Sequence, residues 1–496
     1  MKVEQQKKQQ QSNTKMNTPN PPHVLILPFP FQGHINPALQ FSRLLISKGL
    51  RVTLIVYAEI TTELTQGQLG SLAVHFLSTH DDEEEEPAVQ AGGFGFLDRF
   101  AKTVKKELPR VACEIERETG SGAACLVYDS VAPWALEVAR EMNIPCASFF
   151  TQPCAVDAIL YSYYEGRIRA PITDKEEKFR VDGMAEVSLA VHDLPSYLHD
   201  EDDEYAPECL ALLAAQFSNV AGADWVFCNT FTALEEKQIV HWMCNKLRFK
   251  AVGPTIPSIY LAKQLSSDDT CHEYGLSLFK PQHSPTYLKQ WLDSQQPKSV
   301  VYVSFGSVAS LSDKQTEEVA AALEKLDRPF LWVVRKSEQD KIPPGFVEDT
   351  SDRGLVVTWC CQLEVLAHES TGCFVTHCGW NSTIEALSMG VPMVTVPQFA
   401  DQPTNAKFVE DVWGVGVRVM VRKRDGEEKA MARMEEIEWG VVEVMEGERA
   451  KGIRKNAEKW KTLARAAVAD GGSSDRNIED FVDELVNLQL LKRLEL

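Results

Sequence analysis

Short apolar runs alternate with amphipathic stretches over most of the chain. In the first half, the runs have the length of buried strands and fall at residues 24–27, 51–56, 125–128, 145–149 and 225–228. A helix predicted at residues 37–47, and closed by Gly49, separates the first two runs. Strands that alternate with helices indicate a parallel sheet covered on both faces.

Residues 252–286 interrupt this pattern with prolines, scattered polar residues and little periodicity, which is typical of a linker. A second series of apolar runs follows, at residues 299–304, 330–334, 355–357, 373–376 and 393–396. We therefore predict an α/β fold in which two doubly wound domains, residues 23–251 and 287–470, face a central cleft. Ligands of such sheets bind at the carboxyl ends of the strands.

The two ends of the chain differ in character. Residues 1–22 are polar and have no apolar stretch for a signal sequence, so we expect a disordered tail. Residues 471–496 begin with Gly471 and Gly472 and continue as an amphipathic helix with Ile478, Phe481, Val482 and Leu485 on one face. No apolar run reaches the roughly 18 residues that a membrane span needs.

Composition narrows the function classes. A chain of 496 residues is too long for one ordinary core. Its net charge of −20 argues against nucleic acid or an anionic membrane as a partner, and the acidic runs at 81–86 and 200–204 are typical of exposed loops. The 12 cysteines lack the spacing of a zinc site and suit a reducing compartment, so we expect a cytoplasmic protein. The adjacent Cys360 and Cys361 could be redox-sensitive or could simply pack.

The segment around residue 377 has the pattern of an anion site. The predicted strand 373–376 ends in a polar loop, and a helix is predicted to begin at Asn381 and Ser382 with a capping box formed by Ser382 and Glu385. Gly390 is predicted to end that helix. A strand that leads into a helix N-terminus directs free N–H groups at one point, which favours a phosphate or diphosphate. His377, Asn381 and Ser382 would add donors, and Gly379 would let the backbone approach closely.

Two residues at strand ends are candidates for catalysis. His34 follows the first strand, and Asn36 and Pro37 are predicted to cap and open the next helix. The positive end of that helix favours a neutral imidazole, although an ordinary hydrogen-bonded loop histidine has the same pattern. Asp129 ends the strand at 125–128 and could be a helix N-cap or the partner of a base. The sequence alone does not join them.

The segment at residues 359–402 resembles the donor-binding signature of plant UDP-sugar-dependent glycosyltransferases, that is, glycosyltransferase family 1 with the GT-B fold. The resemblance extends to PFPFQGHINPALQFSRLL, DWVFCNTFTALE, GPTIPSIYL, VVYVSFGS and GGSSDRNIEDFVDEL. It is greatest for the branch that glucosylates salicylate-like acids, thiohydroximates, and di- and triterpenoids. Cys361 stands where the family usually has proline, which affects only the stiffness of the loop.

The resemblance assigns roles to individual residues. It implies that His34 is the general base and that Asp129 accepts the other ring N–H. Trp359 would stack on uracil, and Glu385 would bind the ribose unless it completes the capping box. Asp401 and Gln402 would bind sugar hydroxyls, and Gln402 favours glucose. The further donor-binding residues would be Ser307, Cys360 (through its backbone), Gln362, His377, Trp380, Asn381 and Ser382.

The function expected from this resemblance is inverting transfer of glucose from UDP-glucose to a hydroxyl or carboxyl of a small hydrophobic plant metabolite (terpenoid, steroid, phenolic or aromatic acid). It implies no cofactor and no metal, a C-terminal helix that packs back on the first domain, and a monomer. Phe149, Phe150 and residues 161–164 could line the acceptor pocket or belong to the core. Two alternatives remain: a UDP-sugar 2-epimerase of the same architecture, and a catalytically silent UDP-sugar-binding protein.

Overall fold

The computed structural model describes residues 20–57, 72–77, 95–184, 186–200, 203–235, 237–261, 284–422 and 430–494. Most of residues 1–22, the acidic run at 81–86, part of the run at 200–204 and most of the predicted linker therefore lie outside the described residues.

The first half of the chain is built around a parallel sheet. The described strands of this half are β1 (His23–Leu27), β2 (Arg51–Tyr57), β3 (Ala73–Leu77), β4 (Ala123–Asp129), β5 (Cys146–Phe150), β6 (Lys178–Phe179), β7 (Leu189–Ala190), β8 (Trp225–Cys228) and β9 (Phe249–Ala251). Seven of them pair in the order β3-β2-β1-β4-β5-β8-β9, and β6 pairs with β7 in an antiparallel hairpin. The helices are α1 (Gln32–Ser47), α2 (Gly95–Thr119), α3 (Ala135–Glu141), α4 (Cys154–Tyr164), α5 (Ala206–Ala215), α6 (Lys237–Lys246) and α7 (Ser258–Leu261).

A second parallel sheet organises the rest. Its strands are β10 (Val300–Ser304), β11 (Phe330–Val333), β12 (Gly354–Val357), β13 (Thr371–Thr376), β14 (Met393–Thr395) and β15 (Gly416–Arg418), in the spatial order β12-β11-β10-β13-β14-β15. A small hairpin joins β16 (Val421–Arg422) to β17 (Met431–Ala432). The helices are α8 (Pro285–Asp293), α9 (Asp313–Lys325), α10 (Phe346–Asp349), α11 (Gln362–Ala367), α12 (Trp380–Met389), α13 (Gln402–Lys407), α14 (Met434–Met445), α15 (Ala450–Val468) and α16 (Ser473–Leu494).

The two-sheet α/β fold is confirmed. The predicted apolar runs coincide with the central strands β1, β4, β10 and β13, which are buried on both faces, as parallel strands covered by helices must be. Among the described helices, none is long and apolar enough to cross a membrane.

Two predicted helix starts were wrong. Helix α1 begins at Gln32 rather than residue 37, so Pro37 lies inside it and Asn36 is not its cap. Helix α12 begins at Trp380, with Gly379 in the N-cap position and no side-chain cap, so Ser382 and Glu385 do not form a capping box. Its end was predicted correctly, because Gly390 closes it in a left-handed conformation with φ of 70°.

The last helix lies against the first sheet. The ring of Phe481 packs edge-on against Trp225 and Phe227, with centroids 5.0 Å apart in each pair. Ile478 and Leu485 are buried in the same core as the inner face of β1 and β4. Helix α16 therefore follows the second half of the chain in sequence but packs its apolar face against the sheet of the first half.

Candidate active site

A cavity of about 750 Å³ lies between the two sheets, at the carboxyl ends of β1, β4, β10 and β13. This is the position at which doubly wound sheets bind ligands. Residues from both halves of the chain line it, so neither half contains the complete site. All the residues predicted to bind the donor lie in its wall, and so does His34: Ser307, Trp359, Cys360, Gln362, His377, Trp380, Asn381, Ser382, Glu385, Asp401 and Gln402.

The first half contributes an imidazole held by a buried carboxylate. His34 lies in the first turn of α1, and its Nδ1 is 2.8 Å from Oδ2 of Asp129, the last residue of β4. The other carboxylate oxygen accepts the backbone N–H of Val131 at 3.1 Å. Asp129 is only 2% exposed, whereas the His34 side chain keeps 22% of its surface accessible. A buried carboxylate at Nδ1 fixes the tautomer with its proton there and leaves Nε2 to accept a proton.

Thr151 is a third member of this group that the sequence reasoning missed. Its Oγ1 is 3.0 Å from His34 Nδ1, and it follows the end of β5, which pairs with β4. A polar residue directly after a strand next to β4 is the signal that could have identified it. Thr151 and Asp129 together restrict rotation of the imidazole.

The first half of the chain contributes mainly apolar and aromatic side chains to the cavity wall, beside the polar residues Gln32, Asn36, Thr151 and Gln152. The apolar and aromatic ones are Phe29, Phe31, Val131, Tyr197, Leu212 and Leu213. The Phe29 ring lies 5.3 Å from the His34 ring between centroids. Phe149 and Phe150, by contrast, are buried in the sheet, and Tyr161 packs edge-on against Phe217. Of the two readings of these aromatic residues, the structure favours core packing.

On the opposite wall, His377 is enclosed by two glycines. A Cβ added to Gly379 would lie 2.6 Å from Nε2 of His377, and one added to Gly306 would lie 2.7 Å from it. Gly306 also has φ of 77°, where other residues are strained. Burial lowers the pKa of His377 to about 4, so the imidazole is neutral at pH 7. A neutral ring has a single N–H, and His377 also has a hydrogen bond with the backbone of Ser304, so donation from His377 to an anion stays a prediction.

Glu385 and Ser382 join a side-chain network rather than a helix cap. Gln362 Nε2 donates to Oε2 of Glu385 at 2.8 Å and to Oγ of Ser382 at 3.0 Å. The hydroxyl of Tyr302 donates to Oε1 of Gln362 at 3.3 Å. Glu385 is almost fully buried, although it belongs to the cavity wall. The network therefore fixes the orientation of the Glu385 carboxylate and of the Gln362 amide in the cavity wall.

Three further predicted donor residues lie in loops after strands. Trp359 is partly exposed in the cavity wall just after β12. The next residue, Cys360, is buried, and burial raises the pKa of its thiol to about 12, so it is not a reactive thiolate. Ser307 follows β10, and its carbonyl accepts a hydrogen bond from the Arg335 guanidinium, which braces the loop.

Trp380 and Asn381 tie the two halves together. The indole N–H of Trp380 donates to the carbonyl of Asn229 at 2.8 Å. The side-chain amide of Asn381 donates to the carbonyl of Gly33 at 2.6 Å, while its Oδ1 is buried with no hydrogen-bond partner. Both predicted donor residues therefore also fix the position of helix α12 against the first half. A contact of Asn381 with a diphosphate stays a prediction.

Asp401 and Gln402 stand at the start of α13. Burial raises the pKa of Asp401 to about 6, although the amide of Asn405 donates to its carboxylate at 2.7 Å. Oε1 of Gln402 accepts the backbone N–H groups of Gln398 at 2.8 Å and Phe399 at 3.1 Å. The amide of Gln402 therefore closes the loop that precedes it as well as facing the cavity.

Among the described residues, one group has the proximity of a metal site, and it lies outside the cavity wall. Cys154, Cys228 and Glu235 are buried together, with the two sulfur atoms 3.7 Å apart. The Glu235 carboxylate accepts the N–H groups of Cys154 and Ala155, each at 2.8 Å. Its evident role is to cap the N-terminus of α4.

Comparison with known proteins gives consistent matches. Residues 274–437 match the family described as UDP-glucoronosyl and UDP-glucosyl transferase. The chain is 45% identical over 460 residues to UDP-glycosyltransferase 74E2 of Arabidopsis thaliana, covering 93% of this chain and 98% of that protein. It is 44% identical over 463 residues to a mogroside I-E synthase of Siraitia grosvenorii, covering 93% and 97%.

Solved structures give the same picture. The crystal structure of Os79 from O. sativa in complex with UDP superposes with a TM-score of 0.82 at 35% identity, covering 93% of this chain and all of that one. Another structure of the rice protein, in complex with a trichothecene, has a TM-score of 0.79. The two facing sheets are thus those of a GT-B glycosyltransferase.

Proposed function

The chain belongs to the UDP-glycosyltransferase family, and on that premise we propose that it transfers glucose from UDP-glucose to a hydroxyl or carboxyl of a small hydrophobic metabolite, with inversion at the anomeric carbon. The observation that carries this proposal is the pairing of His34 with the buried Asp129 at 2.8 Å, opposite the wall that contains His377 and the N-terminus of α12. A proton acceptor and an anion site thus face each other across one cavity.

His34 acts as the general base in this mechanism. The acceptor hydroxyl gives its proton to Nε2 while its oxygen forms the bond to the anomeric carbon, and the bond from that carbon to the diphosphate breaks on the opposite side. The imidazolium that forms is stabilised by Asp129, which already accepts the proton on Nδ1. The contact of Thr151 with the same nitrogen keeps the ring plane fixed during transfer.

The departing diphosphate acquires charge, which the second half of the chain stabilises. The backbone N–H groups at the start of α12, together with the side chain of His377, are fixed donors in a buried site, where they need no reorganisation. Ser307 would supply a further contact. Because the donor segment 359–402 has no Asp-x-Asp motif, the proposal assigns no metal to this step.

For the nucleoside and sugar, the proposal keeps the predicted assignments. Trp359 stacks on uracil, the Cys360 backbone and Gln362 bind the uridine, and Glu385 accepts the ribose hydroxyls. The bond from Gln362 to Glu385 supports this, because it fixes the orientation of the carboxylate in the cavity wall. Asp401 and Gln402 bind the sugar hydroxyls, with glucose preferred.

The apolar and aromatic side chains that the first half contributes to the wall, with Phe29 against the His34 ring, support a largely hydrophobic acceptor, such as a terpenoid, a steroid or a phenolic. Two relatives are consistent with such an acceptor: one is named mogroside I-E synthase, and the rice protein has been solved with a bound trichothecene. Family membership favours transfer over epimerisation or silent binding.

The test is release of UDP from UDP-glucose with a panel of triterpenoid and steroid alcohols, phenols and aromatic acids. Acceptor-dependent release and a β-linked product, identified by the anomeric coupling in its NMR spectrum, are expected. Conversion of a UDP-sugar into its 2-epimer without an acceptor would support the epimerase instead. An α-linked product would contradict inversion.

A further inference from the structure

A segment of the first half reaches across the cleft to the loop in front of α13. Ser196 begins a short 3₁₀ turn (Ser196–Leu198), and its backbone N–H donates to the carbonyl of Ala400 at 2.9 Å. Its hydroxyl oxygen accepts the N–H of Ala400 at 2.8 Å. Both polar groups of the Ala400 backbone are thus held by one residue of the opposite half, which is itself only 6% exposed.

The backbone of Ala400 is in an unfavourable conformation. Its φ is 57°, in the left-handed region that residues other than glycine rarely adopt. Such a conformation persists when neighbouring contacts hold it in place. The two bonds from Ser196 are contacts of this kind. Asp401 and Gln402 follow directly, so the conformation of Ala400 sets how both side chains enter the cavity.

The loop is anchored from its own half as well. Oε1 of Gln402 accepts hydrogen bonds from the backbone N–H groups of Gln398 and Phe399, so hydrogen bonds within the loop itself stabilise residues 398–402. Among the hydrogen bonds of the described residues, those that reach residues 398–402 from across the cleft are the two made by Ser196. Tyr197, the next residue, lines the cavity on the acceptor side.

A second contact between the same segments does not involve this loop. The guanidinium of Arg418 donates to the buried carboxylate of Asp193 at 2.6 Å, and the hydroxyl of Thr404 donates to the Asp193 carbonyl at 2.7 Å. These bonds join Asp193 to Thr404, two residues beyond Gln402, and to Arg418 at the end of β15. They offer a matched control, because they bridge the halves without touching Ala400.

We infer that Ser196 is a positioning residue for the donor sugar: it fixes Ala400 in the left-handed conformation and thereby directs Asp401 and Gln402 at the glucosyl group. This inference rests on the proposed function, since it assumes that these two residues bind the sugar. Selection of the donor then depends on a residue of the half that holds the acceptor.

The first experiment compares Ser196→Ala with wild type by calorimetric titration of UDP-glucose and of UDP, together with steady-state kinetics. Loss of one hydrogen bond is expected to weaken UDP-glucose binding about three- to tenfold. UDP, which lacks the sugar, is expected to bind as in wild type, which also shows that the variant is folded. The ratio of activity with UDP-glucose to that with UDP-galactose is expected to fall.

Thr404→Ala is the matched control and is expected to keep wild-type affinity for UDP-glucose. Ala400→Gly provides a second test, because glycine adopts φ of 57° without strain. In that background, Ser196→Ala is expected to have a smaller effect on UDP-glucose binding than it has in wild type.

Three results would overturn the inference: unchanged UDP-glucose affinity and donor ratio in Ser196→Ala, equal weakening of UDP and UDP-glucose, or an equal loss in Thr404→Ala. An active wild type with any of these results would leave the proposed function standing. If wild type neither binds UDP-glucose nor transfers glucose, the proposed function fails, and the inference fails with it.

Discussion

The side-chain amide of Asn381 donates to the carbonyl of Gly33, 2.6 Å away across the cleft. Pro37 explains why this carbonyl is available. It lies four residues further along α1 and has no N–H, so the hydrogen bond that a helix would normally make to Gly33 is missing. Asn381 takes that place. The residue before His34 is therefore held by the helix whose N-terminus faces the proposed diphosphate, and this hydrogen bond joins the two halves of the site.

Asp129→Asn tests the role of the buried carboxylate. The asparagine can keep the bond to Val131, but if its amide nitrogen faces His34 Nδ1 it favours the tautomer that carries the proton on Nε2, which cannot accept another. We expect transfer to alcohols to slow by about 10²–10⁴-fold, as when a general base is lost. The dissociation constant of UDP should not change, because Asp129 is buried in the first half of the chain and does not line the cavity. Near-normal turnover would contradict the assignment.

Gly379→Ala tests whether the position of His377 matters for the binding of UDP. Gly379 has φ of −57°, so alanine introduces no backbone strain, but its Cβ would lie 2.6 Å from the imidazole and displace it. Loss of one hydrogen bond to a charged group corresponds to about 1.5–3 kcal/mol, or roughly a 10- to 100-fold weaker binding of UDP. Calorimetric titration with UDP measures this.

Gly452→Ala is the control for that experiment. Gly452 lies inside helix α15, and nothing is within 4 Å of an added Cβ. Its UDP affinity should equal that of wild type. If Gly379→Ala also binds UDP normally, His377 is not part of the anion site.

The pH dependence of donor binding should follow Asp401. Because burial raises its pKa to about 6, the carboxylate is ionised at pH 7.5 and mostly protonated at pH 5. An ionised carboxylate accepts hydrogen bonds from sugar hydroxyls through both oxygens, so affinity for UDP-glucose is expected to fall as the pH drops through 6. Titrations at several pH values would show this, and the same series with Asp401→Asn should be nearly flat. An equally steep profile in that variant would assign the effect to another group.

Donor selection should change at Gln402. The account predicts a strong preference of wild type for UDP-glucose over UDP-galactose, and a higher relative use of UDP-galactose by Gln402→His. Competition between the two donors, with product sugars separated by chromatography, measures the ratio. Comparable turnover of both donors by wild type would contradict the role given to Gln402.

The sequence was sufficient to predict the strands that carry the site and the candidate residues at their ends, because both follow from local patterns. The runs that became β1 and β4 are nearly continuous apolar segments, and the polar residues after them, His34 and Asp129, meet because neighbouring parallel strands end at the same edge. Resemblance to a known family then supplied their roles. Gly390 was recognisable as a helix end because only glycine readily adopts its conformation.

What the sequence could not indicate are contacts that depend on the relative position of the two halves. Nothing near Asn381 predicts that Gly33 would be its partner, and nothing near Ser196 points to Ala400. The prediction of the start of α12 failed for a related reason. Ser382 and Glu385 have the spacing of a capping box, but both side chains accept hydrogen bonds from Gln362 in a different helix. Local patterns were overridden by tertiary contacts.

The most direct test of the account is His34→Ala with two acceptor types, one donor and one enzyme preparation. An alcohol must lose its proton as it attacks, whereas a carboxylic acid, with a pKa of roughly 4, is already ionised at neutral pH. The account predicts that transfer to alcohols falls by about 10²–10⁴-fold while ester formation with acids remains measurable. If both reactions slow by the same large factor while UDP binding is unchanged, His34 only positions the acceptor, and the assignment of the general base is wrong.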